Sequence, residues 1–266
     1  MKKYIFDCTK ALKLSKTKKT NLKFVSLDLE QIKKRVPEIE KIVVRGGFVA
    51  DLILGCSPCD IDLFYQIKDK KTGEYSKKCH CSEIKKAIRK INFKIFDWNE
   101  IDLENSFEKP PLFDLIERTL GVFSYHTDFL SMFCIDEHGK IWSNKDSFYC
   151  LKNKILELNY AGFVPWSYFR KKHENFDFYS FPLYVITRGL AHISRRDLKP
   201  GKNFRLLLKQ TPFLLANAKR GRDYKHVQNY MQKKLANVDY QKVIKQVLGR
   251  GSSRVIKSFQ EILVEK

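Results

Sequence analysis

The sequence predicts an α+β protein. A mixed sheet flanked by helices is expected over residues 1–142, followed by an all-helical basic domain over residues 143–266. Three observations carry this. Residues 42–64 read as strand, glycine turn, short helix, tight turn and second strand. Beyond residue 143 apolar residues recur at helical spacing, and no alternating strand pattern returns. Lysine and arginine crowd the C-terminal third, within a net charge of +21.

The elements follow in order. Residues 1–20 are lysine-rich and weakly patterned, as in a loosely packed arm. Leu29, Ile32 and Val36 define a helix that Ser26 would cap and Pro37 would end, leaving Ile39 in a connection. Ile42, Val43 and Val44 form a β-branched strand, stopped by Gly46-Gly47. Phe48 to Leu54 has helical spacing and ends at Gly55 and Pro58. Asp60 to Ile67 is a second strand, and Lys68 to Lys78 a charged loop. Ser82 would cap a helix bearing Ile84, Ile88 and Ile91, and Phe93, Ile95 and Phe96 read as a strand ending at Asp97. Pro110-Pro111 breaks the chain before a short helix over Phe113 to Leu120. Phe129 to Ile135 is a buried strand or helix, and Gly139 turns the chain into Ile141-Trp142. Leu151, Ile155 and Leu158 mark a helix over residues 150–158. Between residues 160 and 180 eight aromatics alternate with Arg170, Lys171, Lys172 and His173, a pattern read mainly as helical core.

The chemistry concentrates at residues 45–62. A glycine turn opening a helix offers unpaired N–H groups and the positive end of the helix dipole, so Gly46 and Gly47, with Arg45, are candidates to hold a triphosphate. Asp60 and Asp62, two apart in a strand, put both carboxylates on one face. Two neighbouring carboxylates repel each other unless a cation lies between them, and hard oxygen donors suit magnesium. Two metals held this way activate a hydroxyl and stabilise a leaving pyrophosphate, which is the chemistry of nucleotidyl transfer. Asp97 was weighed as a third acid against an ordinary water-facing aspartate, and the second reading is preferred.

Arg45-Gly46-Gly47, Asp51-Leu52-Ile53-Leu54-Gly55 and Asp60-Ile61-Asp62 resemble the head-domain motifs of class II tRNA nucleotidyltransferases and bacterial-type poly(A) polymerases, within the DNA polymerase beta-like superfamily. Asp128-Phe129 and Ile135 to Trp142 are a weaker echo of a later motif, so the resemblance spans about residues 22–160. It implies template-independent addition of nucleotides to an RNA 3′ end, of a tRNA or another RNA. Asp60 and Asp62 would be both catalytic and metal-binding, with two Mg2+ ions and an NTP, taken as ATP, as donor. The chain departs from the family in three places. The Glu-Asp-x-x-Arg that reads the base is replaced by Ser180-Phe181-Pro182-Leu183-Tyr184. His126-Thr127 stands for Arg-Arg, and Ala50 for an Arg. These departures keep two alternatives open: a catalytically degenerate RNA-binding module, or a transferase that modifies a protein.

A net charge of +21 at a sequence pI near 9.6 points to a polyanionic partner. Arg195, Arg196, Lys219, Arg220 and Arg222 are the expected RNA-binding residues, and the neighbouring Leu206, Leu207, Phe213, Leu214 and Leu215 an apolar side. No apolar stretch of spanning or signal-peptide length occurs, and the seven cysteines are an odd number, so a cytoplasmic, reducing location without membrane contact is expected. Cys56 and Cys59 have the zinc-like Cys-x-x-Cys spacing, but Cys79-His80-Cys81 has no gap between its donors and the first pair lies within the candidate catalytic turn, so no zinc site is expected. The sequence does not identify protein partners.

Overall fold

A computed structural model describes residues 5–57, 61–68, 72, 80–97, 99, 101–105, 128–158, 180–221 and 223–264. The chain divides into two compact units, Met1–His126 with Leu130–Lys152, and Thr127–Phe129 with Asn153–Lys266. The expected segments 69–71, 73–79, 106–127 and 159–179 lie outside the described residues.

The first unit is built on a sheet of β1 (Ile5–Asp7), β2 (Ile39–Arg45), β3 (Ile61–Ile67), β4 (Ile101–Asn105), β5 (Phe133–Asp136) and β6 (Ile141–Asn144). The spatial order is β1-β6-β5-β2-β3-β4. All neighbours are antiparallel except β3 and β4. Period two sorts the side chains. Ile42, Val44, Leu63, Tyr65, Ile135 and Ile141 are fully buried on one face, where α1 (Lys16–Arg35) and α2 (Gly47–Leu54) pack. Val43, Phe64 and Cys134 pack together on the other, with Ile5 and Trp142.

Several expectations for this unit need correction. The N-terminal arm is structured: β1 pairs with β6, and α1 starts at Lys16, capped by Ser15 rather than Ser26. Lysines at positions 16, 18, 19 and 23 hid the helix start, because its buried residues begin only at Leu22. Ile39 opens β2, and Ser82 lies inside α3 (Cys81–Ile88). Residues 93–97 form no strand. Fully buried Asp28 of α1 accepts the N–H groups of Lys94 (2.7 Å), Ile95 (2.8 Å) and Phe96 (3.0 Å), so those donors serve a carboxylate instead of a ladder. The β5–β6 hairpin turns at Gly139, whose φ is +73° and where a Cβ would come within 2.7 Å of Ser26 Oγ. Its other support is Asp136, which accepts from His138 N, Lys140 N and Trp142 Nε1.

Helix α4 (Lys145–Lys152) stays with this sheet, Phe148 meeting Phe6 edge-on at 5.6 Å, so the units part later than the expected 142/143. The expected helix over 150–158 therefore ends at Lys152. Lys154 takes a φ of +53°, and β7 (Ile155–Leu156) pairs in parallel with β8 (Lys199–Pro200). The second unit is thus helical around one small β pair. Its helices are α5 (Ser180–Arg196), α6 (Lys202–Lys209), α7 (Thr211–Ala218), α8 (Tyr224–Leu235), α9 (Tyr240–Leu248) and α10 (Ser252–Val264). Leu183, Ile186 and Leu190 of α5 are fully buried, as are Phe204, Leu208, Val227, Met231, Ile244, Phe259 and Ile262. Gly189 admits the ring of Phe204, which a Cβ would meet at 2.2 Å. No described helix is long and apolar enough to cross a membrane.

Candidate active site

Strand β2 delivers Arg45 to the edge of a turn that only glycine adopts easily. Gly46 has φ +82° and ψ −142°, and its carbonyl receives the N–H groups of Val49 and Ala50 as α2 begins. Its own N–H donates to Phe133 O at 2.9 Å, which fixes the turn to β5. Gly46 therefore contributes shape rather than a donor to a ligand. What this turn offers an anion is the positive end of the α2 dipole, which opens at Gly47. At its far end α2 is closed by left-handed Gly55, and Lys18 Nζ donates to Ile53 O.

The carboxylate of Asp62 lies over this turn. A Cβ on Gly46 would stand 3.2 Å from Asp62 Oδ2. The register explains the approach: Arg45 and Asp62 are directly opposed on β2 and β3. Asp62 is half-buried. The Arg45 guanidinium sits 3.8 Å from the centroid of the Phe64 ring, which holds a positive charge at this end of the sheet. Asp60 lies outside the described residues, so only one of the two expected acids is placed.

A further acid went unread in the sequence. Parallel pairing puts Ile61-Asp62-Leu63 beside Ile101-Asp102-Leu103, with Asp62 and Asp102 in register. The recurring Ile-Asp-Leu was the signal that could have found it. Asp97, the acid weighed instead, accepts from Asn99 N and Nδ2 at 2.9 Å each, at an exposed turn before the strand.

In the second unit, 18 Lys and Arg face 4 Asp and Glu over residues 180–264. Arg195, Lys219 and Arg220 are exposed, as a phosphate contact requires, and Lys219 Nζ lies 6.0 Å over the Tyr224 ring. Arg196 is 3% exposed, which corrects its expected place among the RNA-binding residues: its side chain turns inward from the end of α5. Arg222 lies outside the described residues. Leu206 and Phe213, expected in the apolar side, are 44% and 62% exposed.

One stripe of α5 carries Tyr184, Arg188 and His192, four residues apart. Tyr184 stacks on Tyr230 of α8 at 4.2 Å and lies 6.3 Å from Phe181. Phe181 and Tyr184 occupy the positions where the family resemblance places a base-reading Asp and Arg. Arg188 Nε donates to His192 Nε2 at 3.1 Å, so that nitrogen is an unprotonated acceptor. Burial, then Arg196, Arg188, Arg195 and Lys234, hold His192 well below its usual value of 6.5. For Arg188 burial acts downward, but Asp128, Tyr184 and Tyr230 outweigh it and raise its pKa.

No family model matches the chain, and no curated protein matches its sequence. Solved structures do. A CCA-adding enzyme in complex with ATP aligns with a TM-score of 0.55 at 16% identity, over 96% of this chain and 55% of that one. A complex of CCA-adding enzyme with CTP gives 0.53 at 16% identity, over 91% and 55%. An apo form of a tRNA-processing enzyme gives 0.50 at 15% identity, over 91% and 56%. At these identities the likeness establishes the fold. The chain spans about 55% of the length of the first of these structures.

Proposed function

We propose that the protein is a template-independent nucleotidyltransferase that adds nucleotides from an NTP, taken as ATP, to the 3′ end of an RNA. The observation that carries this reading is the approach of Asp62 to the Gly46 turn, in a fold shared with CCA-adding enzymes. An acid donor beside a helix N-terminus is the pattern of a magnesium–nucleotide site, and the half-buried carboxylate of Asp62 is a hard oxygen donor that suits the ion; Asp102 is its register partner on β4. Asp60, Asp62 and Asp102 would supply its oxygen ligands. Bound as two ions, magnesium would lower the pKa of the RNA 3′-hydroxyl and neutralise the departing pyrophosphate.

The chain's own residues do the rest. The positive end of the α2 dipole draws phosphate oxygens to the turn. Gly46 keeps that loop free of side chains so that the phosphates reach Asp62. Arg45 adds a fixed positive charge, held in place by Phe64. Exposed Arg195, Lys219 and Arg220 hold the RNA backbone. Incubation with each α-labelled NTP and total RNA tests the reading. Wild type should label RNA, and Asp60→Ala/Asp62→Ala should lose at least about 1,000-fold while remaining folded. Equal labelling by the double variant would end the proposal.

One observation favours a second reading. Phe181 and Tyr184 form a ring stack where hydrogen-bonding groups would select a base. In a degenerate module RNA would still bind and no NTP would label it. In an active enzyme that lacks those hydrogen-bonding groups, several NTPs would be used with little preference.

A further inference from the structure

We infer that α6 and α7 present a docking face for single-stranded RNA, with Phe213 stacking on a base while Lys202, Arg205 and Lys209 hold neighbouring phosphates. The inference rests on RNA being the acceptor and adds a mode of recognition to it.

Residues 198–222 contain seven Lys or Arg (199, 202, 205, 209, 219, 220, 222) and no Asp or Glu. Asp197 and Asp223 border this run and Glu157 accepts from Asn203 N at the start of α6, but the run itself is one-signed, and the natural counter-ion of that excess is an external polyanion. Lys202, Arg205, Leu206 and Lys209 follow at steps of three and four, which puts them on one side of α6. Gln210 keeps right-handed helical angles between the two helices, and Phe213 follows one turn after Lys209. The opposite side is committed to the core: Phe204 and Leu208 are fully buried, and Leu214, Leu215 and Ala218 are at most 5% exposed. Leu206 is 44% exposed between Arg205 and Lys209, and Phe213 is 62% exposed one turn beyond Lys209.

That interleaving distinguishes the partner. A helix lying on a membrane separates a wide apolar face from a basic one. Here the wide apolar face is already buried, and the two exposed apolar side chains of this stretch, Leu206 and Phe213, offer little insertion. A cationic track with a protruding ring is what binds single-stranded nucleic acid, since every base has a face to stack and every linkage a charge. Duplex RNA hides its bases, so the ring adds nothing to duplex binding.

The test uses the full chain, without nucleotide or magnesium, and a fluorescent U12 oligonucleotide, a duplex RNA of equal length and phosphatidylserine vesicles. Phe213→Ala should bind U12 roughly 5- to 100-fold more weakly and the duplex equally well. Phe213→Leu should behave as Ala, and Phe213→Trp as wild type. Lys202→Gln/Arg205→Gln/Lys209→Gln should lower the slope of log affinity against log salt by about 2. Wild-type affinity for U12 in Phe213→Ala overturns the inference. So does an equal loss on duplex, an unchanged salt slope, or a Phe213→Ala defect confined to vesicles. Because binding is read without NTP, an inactive transferase leaves this result intact, and a failure here leaves nucleotide labelling by the wild type intact.

Discussion

At the scale of single residues, Gly46 is the most constrained position in the candidate site. Its φ of +82° is a conformation that other residues adopt at a penalty of about 1–3 kcal/mol, and a Cβ would stand 3.2 Å from Asp62 Oδ2. Gly46→Ala should lower stability by about that amount in urea denaturation and abolish nucleotide incorporation, with the RNA affinity of the second unit unchanged. His192 gives a pH prediction. Its folded pKa lies well below 6.5, so the unfolded chain takes up a proton at a pH where the folded protein does not. This contribution to stability is fully present above about 6.5 and is lost as pH falls from there toward the lowered folded value. A thermal-melt series from pH 7.5 to 5 should show the loss, and His192→Gln, which keeps an acceptor for Arg188, should flatten it. Cysteine labelling gives a third. Burial pushes the Cys8 thiol up to about 12, and Cys134 and Cys150 are also buried. At pH 8 iodoacetamide should modify Cys56 and Cys81 well before these three, as read by peptide mass spectrometry. Asp62 and the turn were legible in the sequence because glycine and period-two acids announce themselves locally. Asp102 repeats the Ile-Asp-Leu of Asp62 in the sequence, but a three-residue repeat gains weight only once β3 pairs with β4.

At the scale of elements, Asp28 holds the first unit together at a point the sequence does not advertise. It is fully buried, and its carboxylate satisfies three backbone donors of residues 94–96. Asp28→Ala strands those donors at about 1–3 kcal/mol each, so urea denaturation should show a loss of at least about 3 kcal/mol. A loss under about 1 kcal/mol would mean that the loop finds other partners. The same bond set explains why residues 93–97 mimicked a strand. Phe93, Ile95 and Phe96 alternate like one, yet a tertiary carboxylate took the donors that a ladder needs. The centre of β2 and the whole of α2 were readable because a β-branched run and a helical spacing each meet a glycine boundary. The start of α1 was hidden by a solvated lysine face, and α4 by its short apolar pattern.

At the scale of the molecule, two units carry different charge. The first contains the candidate acids, and residues 180–264 of the second carry 18 basic against 4 acidic side chains. The α+β class and the shift from sheet to helices were legible from periodicity alone, whereas the small β7–β8 pair was too short to leave a pattern. Calorimetric titration of each NTP with Mg2+ into wild type and Asp62→Asn decides whether the Gly46 turn and Asp62 form one magnesium–nucleotide site. Saturable, magnesium-dependent binding to wild type is expected, weakened at least tenfold by Asp62→Asn, about 1.4 kcal/mol or more. Binding of equal strength in both proteins, or none to wild type, would rule that site out.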